Sequence, residues 1–146
     1  MPIEVTAVDH VYVAVTDLAR SEAFYDAVMK LLGFRKGTQP IAGERHLHYF
    51  NPVTQYTIRS ARPSRPHDAY SPGLHHLCFR VVDEAAVDRA WTALGAAGID
   101  ATAPARYPQY DADYYATFFS DPDGVRLEIT NFRASRRSRM AHWPPA

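Results

Sequence analysis

The chain is expected to be α+β, built from two tandem βαβββ modules, and three observations predict that class. Laid on itself with an offset of 66 residues, the sequence repeats: HVYVAVTD at 10–17 lies over HLCFRVVD at 76–83. A stretch rich in Ala and Leu, with apolar residues at helical spacing, follows each copy. Three shorter strand-like runs follow each of those stretches.

Each opening run places β-branched or aromatic residues at every second position and ends on an acid suited to cap a helix, Asp17 or Asp83. The segments 18–32 and 84–97 are read as amphipathic helices, on Leu18, Tyr25, Val28 and Leu32 in one and Val87, Ala90, Trp91 and Leu94 in the other. Both stop at a glycine, Gly33 or Gly98, able to take the left-handed cap conformation. Strands are then expected over 34–38, 46–50 and 55–60, and over 99–103, 114–119 and 126–131. Turns containing Asn51 and Pro52, and Asp121, Pro122, Asp123 and Gly124, join the last two strands of each half. The expected organisation is one domain over 1–146, with modules about 5–61 and 73–132. A proline-bearing linker covers about 62–72 and a tail about 133–146. The irregular stretch 106–113, with Tyr107, Pro108 and Tyr110, reads as a functional loop.

The chain has 146 residues, 47% of them hydrophobic, and a domain of that size buries roughly 68–70% of its unfolded surface, so it needs no disulfide or metal merely to fold. Sixteen basic residues balance sixteen acidic ones. This removes the broad positive footprint that non-specific nucleic-acid or anionic-membrane binding requires. Arg133, Arg136, Arg137 and Arg139 cluster in the tail, but Met140, Trp143 and Pro144 follow, which reads as a packed or partner-contacting arm. No apolar run of about 18 residues is present, and the start, Met1 to Glu4, lacks a basic stretch followed by an apolar one. With a lone cysteine, Cys78, these features give a cytoplasmic expectation with no membrane and no nucleic-acid partner.

Residues two apart in a strand share a face. If the apolar sets Val11, Val13 and Val15, and Leu77, Phe79 and Val81, meet the helices, His10 and His76 fall at equivalent positions on the other face, and His75 turns away. Glu128, on that face of the final strand between Arg126 and Thr130, is flanked by apolar neighbours where a carboxylate is costly unless paired or metal-bound. Two imidazoles and a carboxylate are a set used for a divalent metal with open positions. The competing reading of His10 and His76 is hydrogen-bonded histidines at strand ends. Spacings of 66 and 52 residues carry little by themselves; equivalence under the repeat carries more. His46 and His48 are read as facing the same side, together with Tyr115 and Thr117, with Leu47, Tyr49, Ala116 and Phe118 opposite. That makes His48 and Tyr115 the acid–base candidates, against a reading as plain polar lining. Tyr12, His46, Gln55, Thr57, Arg59, Arg80 and Arg126 line the same side as substrate contacts, the arginines suiting an anionic group, against solvated strand ends. Cys78 is read as a small packing residue.

Three segments carry a family resemblance: DHVYV at 9–13, GLHHLCF at 73–79 and FSDPDGVRLEI at 119–129. Over residues 8–132 the chain resembles the vicinal oxygen chelate superfamily, which contains glyoxalase I, fosfomycin-resistance proteins, extradiol dioxygenases and bleomycin-resistance proteins. The resemblance implies that the paired modules form a curved mixed sheet with helices on the outer face, commonly in a homodimer. It also implies a divalent metal (Zn, Fe, Mn, Ni or Co) held by His10, His76 and Glu128, and a small oxygen-chelating substrate. Two departures matter. Thr57 stands where glyoxalase I carries a further carboxylate, which leaves three protein ligands. The histidine and tyrosine that extradiol dioxygenases place before the Asp-Pro turn are missing near 109–111 and at Phe118, although Tyr115, His46 or His48 could substitute from neighbouring strands. The expected function is a metal-dependent glyoxalase-like lyase or isomerase. A non-heme iron dioxygenase, and a non-catalytic drug binder of bleomycin-resistance type, are the alternatives.

Overall fold

The computed structural model describes residues 3–144; Met1 and Pro2, and Pro145 and Ala146 of the expected tail, lie outside the described residues. The elements follow in the order β1 (His10–Val15), α1 (Leu18–Leu31), β2 (Arg35–Gly37), β3 (His46–Phe50), β4 (Gln55–Ser60), β5 (His76–Val81), α2 (Glu84–Ala96), β6 (Ala105–Arg106), β7 (Tyr115–Ser120), β8 (Arg126–Asn131) and α3 (Ala134–Ala141). Up to α3 this is βαβββ twice over, an α+β fold. Hydrogen bonding groups the strands into two four-stranded mixed sheets, ordered β1-β4-β3-β2 and β5-β8-β7-β6. In each the first strand runs parallel to the last, and the remaining pairs are antiparallel.

Two compact units result. Of the described residues, the first holds those up to His67 together with Asp121–Gly124, the second Asp68–Ser120 and those from Val125 onward. In the first, α1 buries Tyr25, Val28 and Met29, and the sheet contributes Val13, Val15, Leu47, Tyr49, Tyr56 and Ile58 to the core. The Asp121–Gly124 turn is tied into this unit by Asp123, which accepts from the Thr16 backbone amide at 2.8 Å and from the Thr16 hydroxyl, and by Asp121, which accepts from the Tyr25 hydroxyl at 2.8 Å. In the second unit Val87, Ala90 and Leu94 of α2 are buried, as are Leu127 and Ile129. Both helices are capped as expected: the Asp17 carboxylate accepts from the Arg20 amide and the Asp83 carboxylate from the Ala86 amide. Gly33 and Gly98 stand at φ of +81° and +75°, the left-handed conformation that closes a helix end.

Two elements differ from expectation. The strand expected over 99–103 is reduced to a single bridge, Ala101 with Phe119, and β6 is a two-residue strand further on. Pro104 has no amide hydrogen to give to a ladder, and the Thr102 hydroxyl, rather than a backbone carbonyl, accepts from the Phe118 amide at 3.0 Å. The tail, expected as an arm, forms helix α3. Arg133 gives it no side-chain cap. The Asp113 carboxylate accepts from the Ala134 amide at 2.8 Å instead, so the first turn is capped from a loop some 20 residues upstream.

Candidate functional site

In the second unit, one sheet face carries His76, Cys78 and Arg80 from β5, Arg126, Glu128 and Thr130 from β8, and Phe118 from β7. Register places His76 opposite Arg126, Cys78 and Phe118 opposite Glu128, and Arg80 opposite Thr130. Glu128 is 2% exposed. A carboxylate so buried requires partners, and it has them: Oε1 accepts from the Tyr114 hydroxyl, and Oε2 lies 3.5 Å from His76 Nε2. His76 Nδ1 is 2.7 Å from His75 Nδ1, so one of the two nitrogens carries the shared proton. Burial, and then the hydrogen bond to Glu128, hold the Tyr114 phenol well above its ordinary value. Burial, and then the Glu128 charge, push the Cys78 thiol up to about 12, which leaves it a protonated packing group at neutral pH.

Tyr115 requires correction. Its hydroxyl donates to Asp88 of α2 at 2.7 Å, so its side chain belongs to the helix side of the sheet, away from Glu128. Asp88 also raises its phenol, first through that hydrogen bond. The physical reason is register. Ser120 pairs with Arg126 across the turn, so Phe118, not Thr117, stands opposite Glu128, as His48 stands opposite Thr57 in the first half. A slip of one residue exchanges the faces. The group that reaches Glu128 is Tyr114, the first residue of the strand expected over 114–119; counting back from the Asp121–Gly124 turn is the signal that finds it.

In the first unit, His10 and Tyr12 from β1, Gln55, Thr57 and Arg59 from β4, and His46 and His48 from β3 share one face, with His10 paired to Gln55, Tyr12 and His48 to Thr57, and His46 to Arg59. His48 is 8% exposed. Its Nε2 lies 2.9 Å from the Gln39 carbonyl, which can only accept, so Nε2 carries the proton and Nδ1 accepts from the Thr57 hydroxyl at 3.0 Å. Gln55 Nε2 in turn donates to Thr57 Oγ1 at 2.9 Å. Both nitrogens of neutral His48 are thus engaged, and its expected place as a free base is occupied. His46, 1% exposed, donates from Nδ1 to the Glu44 carbonyl at 2.8 Å and accepts at Nε2 from the hydroxyl of Tyr12, itself 47% exposed. Arg59 is ion-paired to the Glu44 carboxylate and so is not free for an anion. His10 Nδ1 bonds the Asp9 carboxylate at 2.8 Å, a contact that engages one ring nitrogen and not Nε2.

Arg80 and Arg126, the two arginines on this face of the second unit, are held differently, by rings. Arg126 lies with its guanidinium carbon 4.7 Å from the Phe118 centroid, and Arg80 at 4.1 Å from that of Phe132, with a guanidinium N–H of Arg80 also donating to the Met140 thioether sulfur at 3.9 Å. Tyr107 packs edge-on against Phe118 at 5.3 Å, and Tyr110 against Tyr114 at 5.3 Å. His76 and Glu128 are therefore brought together within one unit, whereas His10 belongs to the other. Among the described residues, no group of three or more His, Cys, Asp and Glu side chains is gathered for a metal ion, and no helix is long and apolar enough to cross a membrane.

Comparison with known proteins bears on this arrangement. Over 131 residues the chain is 32% identical to the uncharacterized protein YaeR of Escherichia coli (strain K12), covering 84% of this chain and 93% of that protein. The lactoylglutathione lyase of Agrobacterium tumefaciens has a similar fold, with a TM-score of 0.65 at 24% identity over 87% of this chain and 94% of that one. So has a mutant of the fosfomycin resistance protein FosX from Listeria monocytogenes, solved with Mn(II) and a dihydroxypropylphosphonic acid, with a TM-score of 0.67 at 14% identity over 92% and 98%. The family model described as Glyoxalase/Bleomycin resistance protein/Dioxygenase superfamily matches residues 7–129, and the chain belongs to that superfamily.

Proposed function

We propose that the protein is a metal-dependent glyoxalase-like enzyme, of lyase or isomerase type, acting on a small oxygen-chelating molecule. The observation that carries this reading is Glu128, a carboxylate 2% exposed whose second oxygen faces an imidazole nitrogen at 3.5 Å. The donor set fits a divalent ion. His76 turns Nε2 toward Glu128, and the Asp9 carboxylate holds His10 in the orientation that second-sphere carboxylates give metal-binding imidazoles. His10, His76 and Glu128 are the proposed ligands. A divalent ion there supplies Lewis acidity toward a substrate oxygen. Lyase activity in one structural relative and Mn(II) in another lend support at the level of the superfamily.

The chain's own groups have distinct parts in this reading. Tyr114 donates to Glu128 Oε1 and so orients the carboxylate, leaving Oε2 to act. His46, with its Nδ1 proton fixed on the Glu44 carbonyl, presents Nε2 to the Tyr12 hydroxyl, and this pair replaces His48 and Tyr115 as the group able to hold or pass a proton. His48, Gln55 and Thr57 form a closed hydrogen-bonded set that rigidifies the face behind it.

Metal uptake tests the proposal. Protein prepared without chelator should bind a divalent ion, and Glu128→Gln, which keeps the shape and an acceptor for Tyr114, should lose that binding while its circular dichroism is unchanged. Absence of uptake by the unaltered protein, or equal uptake by the variant, overturns it. Iron-dependent oxygen consumption would move the reading to a dioxygenase. The cluster of Tyr107, Tyr110, Tyr114 and Phe118 favours a second reading, binding of an aromatic drug without chemistry, which predicts aromatic binding undiminished in Glu128→Gln.

A further inference from the structure

The geometry points to Arg126 as an oxyanion-binding residue, so that the substrate class is a small molecule carrying a carboxylate, phosphate or phosphonate beside its chelating oxygens. The assignment starts from how the arginines are partnered. Arg59 is paired with Glu44, Arg106 with Glu84 at 2.8 Å, Arg133 with Asp111 at 3.2 Å, Arg20 with Asp123 at 3.3 Å and Arg45 with Glu22 at 2.7 Å. Arg126, among the described residues, meets no carboxylate and donates no hydrogen bond; what holds it is the Phe118 ring at 4.7 Å. A ring fixes the plane of a guanidinium while leaving its fork of donors unspent, and that fork matches an oxyanion's paired oxygens.

Position completes the case. Arg126 is the direct cross-strand partner of His76 and stands two residues from Glu128 on the same face, so the three side chains arise within about 8 Å of one another at strand spacing. Arg80 shares the face and also lacks a carboxylate, but its partner in register is Thr130, four residues along β8, or about 13 Å away. It is therefore a control rather than a second half of the same site. The buried Glu128 charge nearby disfavours a bare anion at His76 itself, which leaves the guanidinium as the group that an anion would seek.

The placement beside chelating oxygens rests on the metal reading above, so the test separates the two. Chelator-treated protein is titrated with inorganic phosphate while the Arg126 side-chain Nε–H resonance is followed by NMR, with potassium chloride at matched ionic strength as reference. The expected result is a saturable phosphate-specific shift, weakened by about tenfold or more in Arg126→Met, partly restored in Arg126→Lys and unchanged in Arg80→Met. Arg126→Met retains the stem that covers Phe118, and its metal uptake should equal that of the unaltered protein. Equal phosphate affinity in Arg126→Met, or a response that chloride reproduces, overturns the assignment. Phosphate binding at Arg126 in a protein that takes up no metal would sink the metal reading and leave the anion site standing.

Discussion

Tyr25 shows how one side chain can hold a motif in place. It is buried on α1, its hydroxyl donates to Asp121 at 2.8 Å, and the Tyr56 hydroxyl lies 2.9 Å away. Burial first, and then the neighbouring Tyr56 and Asp121, raise its phenol far above the ordinary value, so it remains a donor at any working pH. Tyr25→Phe keeps the ring and removes the donor to a buried carboxylate. The expected cost is about 2 kcal/mol in urea denaturation; a loss under a few tenths would show that the contact contributes nothing net. Residues of this kind were half legible. The helical spacing identified Tyr25 as apolar core, but nothing in the sequence says that its hydroxyl meets an aspartate 96 positions later.

At the scale of the element, α1 and β2 are joined by Glu22, which accepts from Lys36 at 2.7 Å and from Arg45 at 2.7 Å. The Lys36 hydrogen bond, with Arg45 behind it, outweighs burial and lowers the Glu22 carboxyl below its ordinary 4.5. A carboxyl depressed in the folded state adds stability above its unfolded value, and loses it as pH falls through the lower folded value. Glu22→Gln should therefore destabilise by about 1 kcal/mol at pH 7 and by nothing measurable once the pH is below the folded value; thermal melts at the two pH values check this, and an equal loss at both would refute an electrostatic origin. Elements were legible in proportion to how local their causes are. Both helices, with Asp17 and Asp83 as caps, follow from neighbours three residues apart. Helix α3 depends on Asp113, and the face of Tyr115 on cross-strand register, so neither could be read locally.

For the whole molecule, an ion that binds the folded chain and not the unfolded one raises stability by mass action, by about 4 kcal/mol at a free concentration roughly a thousand times Kd. Calorimetry with and without a divalent ion should show a rise of several degrees in Tm, reversed by chelator and absent in Glu128→Gln. No shift in the unaltered protein would count against a metal tied to the folded state.

By itself the sequence determined the duplicated βαβββ order, the caps and the candidacy of His10, His76 and Glu128, because strand alternation, helical spacing and a 66-residue repeat are all written in the order of residues. Only the tertiary structure decided which partners those residues meet. Tyr114 rather than Tyr115 reaches Glu128, His48 is closed off by Thr57 and Gln39, Arg59 is spent on Glu44 and Arg126 is left on a ring. Hydrogen bonds and ion pairs act over about 3 Å, and distances of that order between residues far apart in sequence are set by register and by loop paths, which local pattern does not encode.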